Sequence, residues 1–236
     1  RSTLFPYTTL FRSPYREIIT DITYRTDEGG YLKPGYTHVY VVPADGGAPR
    51  QLTFGAFNET GPLSWSIDGK YLYTTSNRDK NWRREPVNSE LYQVSVTEGT
   101  ITALTSRGGP DNTPEISPDG TKIAYLGYDD KLLGYQNTRL YVMDRDGRNS
   151  RSLTDSLDRT VASAQWAADG RSIYIQYDDK AVTKIARVLL NGRIEPVAQG
   201  LSGGGLDRPY TGGSFTVATN GTVAFTSLYG DRKSVV

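Results

Sequence analysis

The sequence predicts an all-β chain built from repeated four-strand units, and three observations carry that prediction. Turns of one chemistry recur at Trp65-Ser66-Ile67-Asp68-Gly69, Ser117-Pro118-Asp119-Gly120, Trp166-Ala167-Ala168-Asp169-Gly170 and Val217-Ala218-Thr219-Asn220-Gly221. Ser-Pro-Asp-Gly is the residue order of a type I β-turn, with Pro fixing φ at the second position and Gly at the fourth. Each turn leads into an apolar run (KYLYTT, KIAYLGY, RSIYIQY, TVAFTS) without polar alternation, as in strands buried on both faces. The turn glycines Gly69, Gly120, Gly170 and Gly221 lie 51, 50 and 51 residues apart. A period near fifty with about four strands per repeat is the signature of a β-propeller, here of the WD40-like kind. The expected architecture is a partial propeller with three complete blades flanked by two partial ones.

Taken in order, Glu17 to Arg25 (EIITDITYR) reads as a strand, followed by a loop over 26–37. THVYVVPADGG reads as a second strand ending at the Asp45-Gly46 turn, and RQLT as a short outer strand. These form a blade whose first strand is expected upstream. The second blade has strands near 61–66, 70–76, 89–96 and 100–105, and the third near 112–117, 121–127, 138–144 and 149–154. The fourth has strands near 161–166, 171–177, 183–190 and 193–198, and GGSFTVATNGTVAFTS supplies two strands of a fifth. Third strands end in matching turns at Glu98-Gly99, Asp146-Gly147 and Asn191-Gly192, and outer strands end in Leu-Thr at 52–53, 104–105 and 153–154. Trp65 and Trp166 occupy equivalent positions, as do Tyr73, Tyr125 and Tyr174. Aromatics at blade spacing read as packing between sheets rather than ligand contacts.

The 236 residues are 36% hydrophobic and 22% charged, with a net charge of +1. That balance gives no basic footprint for nucleic acid. There is no apolar run of membrane-spanning length. Without cysteine, disulfides and thiolate metal sites are excluded while the compartment stays open. The two ends have another explanation. Residues 1–13, RSTLFPYTTLFRS, and 231–236, DRKSVV, match translations of the two strands of a common short-read sequencing adapter. They are expected to be adapter-derived tails outside a propeller domain spanning 14–230.

Catalytic chemistry finds little to rest on. The single histidine, His38, opens a strand and lacks a second His or a Cys with which to hold a metal. The nearest approach to a hydrolase elbow, Gly212-Gly213-Ser214-Phe215-Thr216, lacks the final glycine and a following helix. Asp129-Asp130 and Asp178-Asp179 recur at equivalent positions and are suited to calcium or acid–base work, but they stand at strand-to-loop junctions, where carboxylates are commonly solvated. No catalytic residue, metal site or cofactor is assigned. The long loop between second and third strands of the second blade carries Arg78, Asp79, Trp82, Arg83, Arg84 and Glu85. This is a candidate substrate- or partner-facing surface, with a solvated loop as the alternative.

The segments PGYTHVYVVPADGGAPRQLT, NSELYQV, SPDGTKIAYLGYDD, LYVMDRDGRNSRSLT, WAADGRSIYIQYDD and RPYTGGSF resemble the N-terminal propeller of prolyl oligopeptidase-family serine peptidases. The similarity is to the bacterial acylaminoacyl-peptidase and dipeptidyl-aminopeptidase branch, and it covers essentially all of 14–230. The resemblance implies a C-terminal α/β-hydrolase domain of the same polypeptide as partner, with a Ser-Asp-His triad that cannot be placed on this chain. It also implies a peptide substrate, gated and positioned by the propeller. SPDG-type blades also occur in TolB-like propellers, so a non-enzymatic protein-binding module is the rival expectation.

Overall fold

The computed structural model describes residues 19, 21–27, 29–203 and 212–228. The expected adapter-derived tails therefore lie outside the described residues. The chain divides into two compact units between Gly35 and Tyr36.

In the first unit, β1 (Arg25–Thr26) pairs antiparallel with β2 (Gly30–Tyr31). Tyr24 and Tyr31 set their rings 6.1 Å apart across this hairpin. The expected strand from Glu17 to Arg25 is largely corrected: of its described residues only Arg25 lies in a strand, and Ile22 and Tyr24 are exposed. With both side chains open to water among the described residues, the two-sided burial expected of this segment is not formed. The expected loop over 26–37 instead contains β2.

The second unit opens with a two-stranded sheet, β3 (Tyr40–Val41) and β4 (Arg50–Gln51). Three four-stranded antiparallel meanders follow. The first is β5 (Glu59–Trp65), β6 (Tyr71–Ser76), β7 (Glu90–Ser95) and β8 (Ile101–Ala103), and the second is β9 (Asp111–Ile116), β10 (Lys122–Gly127), β11 (Arg139–Asp144) and β12 (Arg151–Ser152). The third is β13 (Val161–Trp166), β14 (Ser172–Asp179), β15 (Val182–Leu189) and β16 (Ile194–Leu201), after which β17 (Phe215–Val217) pairs with β18 (Val223–Phe225). Three complete blades and two-stranded partial ones are thus present, and the described residues contain no helix.

The first-to-second-strand turns are one device repeated. The amides of Gly69, Gly120, Gly170 and Gly221 donate to the carbonyls of Ser66, Ser117, Ala167 and Ala218 at 2.8–2.9 Å. All four glycines have φ between +66° and +83°, the left-handed region that closes a type I turn into a bulged hairpin. The Asp or Asn preceding each glycine accepts from the amide two residues on, at Lys70, Thr121, Arg171 and Thr222.

Burial on both faces of the second strand has a simple geometric cause. Along β10, Ile123 and Tyr125 point into a cluster with Tyr73 and Leu91 of the preceding blade. Ala124 and Leu126 point the other way, into a cluster with Val161, Trp166, Ile173 and Ile175 of the next. Tyr141 and Met143 of β11 join the first cluster and Leu140 and Val142 the second. The side-chain period of two therefore feeds both seams at once.

First strands are sheet edges, and their free amides are satisfied across the seams. Ile116 N donates to Ser64 Oγ at 3.2 Å, Trp166 N to Glu115 Oε1 at 3.3 Å and Val217 N to Gln165 Oε1 at 3.1 Å. β5 and β9 also carry Pro62 and Pro114 beside register shifts, as edge strands tolerate.

Trp65 and Trp166 do not share an environment. Trp166 is 5% exposed and its indole N–H donates to the Glu115 carbonyl at 2.9 Å, whereas Trp65 is 48% exposed. The expectation of packing between sheets holds for Trp166 and is corrected for Trp65, because the two-stranded β3–β4 sheet leaves Trp65 half uncovered. Tyr73, Tyr125 and Tyr174 are all buried.

Candidate interaction face

A meander places its short turns at one end and its loops at the other. The end bearing Gly69, Gly120 and Gly170 also bears the Glu98-Gly99, Asp146-Gly147 and Asn191-Gly192 turns, and is rich in charge. The opposite end carries the 77–89 and 128–138 loops and the links 54–58 and 104–110 between blades. Exposed apolar side chains gather on these loops and links: Phe54, Val87, Leu133, Leu132 at 90% exposure and Tyr135 at 75%. In the third blade the same connection shrinks to a tight turn at Lys180-Ala181, both with positive φ. The loop end is therefore uneven, with two large projections on neighbouring blades.

The first projection is organised by its own backbone. Trp82 N donates to the Asp79 carbonyl, Arg84 N and Glu85 N both donate to the Asn81 carbonyl, and Asn77 Nδ2 donates to the Glu85 carbonyl. The Asp79 carboxylate accepts from Asn81 N at 2.6 Å. Arg83 stacks on Trp82, its guanidinium carbon 4.5 Å from the ring centroid, and donates to the Tyr36 hydroxyl at 3.1 Å. Tyr36 meets Trp82 edge-on at 6.2 Å. Arg83, Arg84 and Glu85 are exposed and Trp82 is half-buried.

Arg78 departs from the group. It turns inward to an ion pair with Glu59, with side-chain exposures of 16% and 3%, and lies 5.4 Å from the ring centroids of both Phe57 and Tyr92. Arg78 and Asp79 thus build the loop, while Trp82, Arg83, Arg84 and Glu85 form its presented surface. Sequence reasoning could not separate them, because the partner Glu59 is 19 residues away and buries itself at the start of β5.

The second projection carries the paired carboxylates. Asp129 faces Arg107 at 3.4 Å, and Asp130 accepts from Leu132 N and Gln136 Nε2, both at 2.8 Å. In the next blade Asp178 accepts from the Thr183 hydroxyl, and Asp179 pairs with Lys184 at 2.7 Å and Arg159 at 2.9 Å, which hold its carboxyl below its ordinary range. These carboxylates are engaged in shaping loops and turns, and no group of three potential metal ligands occurs among the described residues. His38 sits half-buried, with Nδ1 3.4 Å from the Thr53 hydroxyl.

Sequence reasoning missed the buried acids. Burial pushes Glu90 up to about 7, Asp111 up to about 6 and Glu115 up to about 7. Glu90 and Asp111 gather around Thr105 and Arg107 where the second blade hands over to the third. Glu90 stands near the start of a predicted strand, Asp111 just before one and Glu115 within one, and none of these placements stands out by itself.

Residues 21–130 match the family described as the dipeptidyl peptidase IV N-terminal region. A dipeptidyl-peptidase 5 from Porphyromonas gingivalis is 29% identical over 160 residues, covering 65% of this chain and 23% of the relative. An Aspergillus fumigatus dipeptidyl-peptidase 5 is 23% identical over 78% of this chain and 26% of its own length. The chain thus spans about a quarter of these relatives, and 47% of a similar Agrobacterium fabrum protein. Among solved structures, puromycin hydrolase superposes with a TM-score of 0.60 at 21% identity, over 80% of this chain and 32% of that one. TolB from Acinetobacter baumannii superposes with a TM-score of 0.55 at 20% identity, over 79% and 42%. The structural likenesses establish the propeller fold, and over residues 21–130 the sequence is similar to the dipeptidyl peptidase IV N-terminal region.

Proposed function

We propose that this propeller is the non-catalytic gating and substrate-positioning part of a serine peptidase that cleaves peptides or acylated amino acids. In this reading its loop end faces a C-terminal α/β-hydrolase domain of the same polypeptide. The observation that carries the reading is the asymmetry of the two ends. The loop end carries exposed Phe54, Leu132, Leu133 and Tyr135 and the stacked Tyr36–Trp82–Arg83 group on long loops and links, whereas the turn end is made of short, mainly polar turns with Ile67 as its exposed apolar side chain. An apolar rim suits a covered interface, and guanidinium groups beside it suit carboxylates of a peptide. Bond cleavage would rest on the other domain, since acyl transfer needs a nucleophile, a base within reach and an oxyanion hole.

The test uses the complete gene product. Replacing Arg83, Arg84 and Glu85 together by Ala should lower kcat/KM for peptides about tenfold, and should leave a small activated ester unaffected. The 236-residue chain by itself should show no turnover of either. Unchanged kcat/KM across peptides with free and blocked ends would remove the loop from substrate positioning. The likeness to TolB supports a second reading, a protein-binding propeller without enzymatic activity. A complete gene product lacking a G-x-S-x-G hydrolase domain would favour it.

A further inference from the structure

Three seams of the second unit are built on one plan. The amides opening β5, β9 and β13 (Glu59, Asp111 and Val161) donate to the carbonyls of Thr37, Ser89 and Thr138 in the preceding sheet, at 2.9, 2.7 and 2.9 Å. Immediately after each acceptor comes His38, two residues before β3, or the residue that opens β7 or β11, Glu90 and Arg139. The outer-strand threonines Thr53, Thr105 and Thr154 accept from the amides of Val39, Leu91 and Leu140 at 2.9–3.0 Å, locking that corner. Each seam is therefore a corner defined by three equivalent positions.

The side chains at those positions differ in charge. The first seam holds His38 and Glu59, with Glu59 matched by Arg78. The third holds Arg139, matched by Asp155 at 2.8 Å, and the apolar Val161. The middle seam holds two acids, Glu90 and Asp111, against the single guanidinium of Arg107. Asp111 is fully buried and paired with Arg107, while Glu90 takes the Thr105 hydroxyl as donor. Arg107 is drawn on further by Asp129 at 3.4 Å and lies 4.0 Å from the Tyr141 ring centroid. Tyr125 also faces it, with its hydroxyl hydrogen-bonded to Ser150 at 2.6 Å, and Tyr92 of β7 faces Glu90 with Arg78, Glu59 and Asp79 beyond. With every acid ionised, this corner would bury uncompensated negative charge.

The corner also holds a loop of the candidate face. Asp130 N donates to the Gly108 carbonyl at 2.9 Å and Tyr128 N to the Pro110 carbonyl at 3.3 Å, stitching the 128–137 loop onto the link. Gly109 and Gly127 are required there. A Cβ on Gly109 would collide with the Tyr128 carbonyl, and one on Gly127 with Arg107 and Asp111.

We propose that the Glu90–Thr105–Asp111 corner is a proton-controlled clamp, which holds the second and third blades and the 128–137 loop together when one of its two acids is protonated. The proposal concerns this corner alone and does not depend on the peptidase reading. Both acids are raised above their ordinary values by burial, each further by the other's charge or by that of Asp129, so the folded chain binds more protons than the unfolded one. Clamping is fully present below the ordinary carboxylate range. It weakens as pH rises from there and is lost through about 7, where Glu90 titrates.

The test is amide hydrogen exchange on the full chain at pH 5.5 and 8.0, corrected for intrinsic rates and read at residues 89–91, 105–111 and 127–131. Wild type should show about tenfold greater protection at the lower pH, the equivalent of one unit of differential proton affinity. Glu90→Gln keeps the shape and fixes the neutral state, so its protection should stay high at both pH values. Glu115→Gln, at the next seam, should leave the pH response of these segments at the wild-type value. Equal wild-type protection at both pH values, or a wild-type response in Glu90→Gln, would overturn the clamp. Should Glu90→Gln fail to fold, the 13C carboxyl shift of Glu90 in wild type decides: titration near 7 supports the clamp and titration near 4 to 5 ends it.

Discussion

Arg78 is the residue whose role changed most between its sequence neighbourhood and its surroundings. It stands among exposed charges in the chain, yet its guanidinium is clasped by Glu59, Phe57 and Tyr92. Removing one member of a buried ion pair leaves the other charge unpaired, which costs about 3–5 kcal/mol, far more than a surface pair is worth. Arg78→Ala should therefore destabilise the chain on that scale. Arg84→Ala, six residues on and exposed, should stay within about 0.5 kcal/mol. Urea unfolding of the two variants checks the ordering. Similar midpoints for both would mean that the Glu59 carboxylate finds water once Arg78 is gone.

At the scale of strands and seams, the two equivalent tryptophans make the sharpest comparison. Trp166 fills the seam between the second and third complete blades and donates to the Glu115 carbonyl. Trp166→Ala should cost about 3–5 kcal/mol, the usual loss for a large buried aromatic. Trp65→Ala should cost about 1 kcal/mol, since half of that side chain already meets water. Thermal unfolding of both variants measures the difference. The same pair shows where sequence reasoning reaches its limit. Turn glycines, Asp caps and two-sided apolar strands are decided within a few residues, so the three complete blades could be read directly. Which side of Trp65 is covered depends on a neighbouring sheet in another repeat, and no local pattern encodes that. Glu90 and Asp111 escaped notice for the same reason: their burial is a property of the corner at which blades meet. The strand expected at Glu17–Arg25 had the right composition, but Ile22 and Tyr24 stay exposed, and burial of such a segment is decided by elements elsewhere in the chain.

Across the second unit, stability follows from stacking. A blade gains most of its burial from its two neighbours, so a propeller segment behaves as a sum of nearest-neighbour contacts rather than as one indivisible core. β10 and β11 feed clusters on both faces, with Tyr73 and Leu91 on one side and Ile173 and Ile175 on the other. The β3–β4 sheet is held through Val39 and Leu52 against Leu72 and Val94. The β17–β18 sheet meets Ala167, Tyr174 and Ile185 through Phe215, Val217 and Val223, while Phe225 stays 42% exposed. Opening either two-stranded sheet therefore sacrifices one cluster, whereas opening the β9–β12 sheet sacrifices two. Amide exchange at constant pH should reveal this as a gradient. Protection should be greatest in β10, β11 and β14, and about a hundredfold lower in β3, β4, β17 and β18, as expected when the outer sheets open without the rest. Uniform protection from β3 to β18 would show instead that the seams transmit unfolding from end to end, and that the unit opens only as a whole.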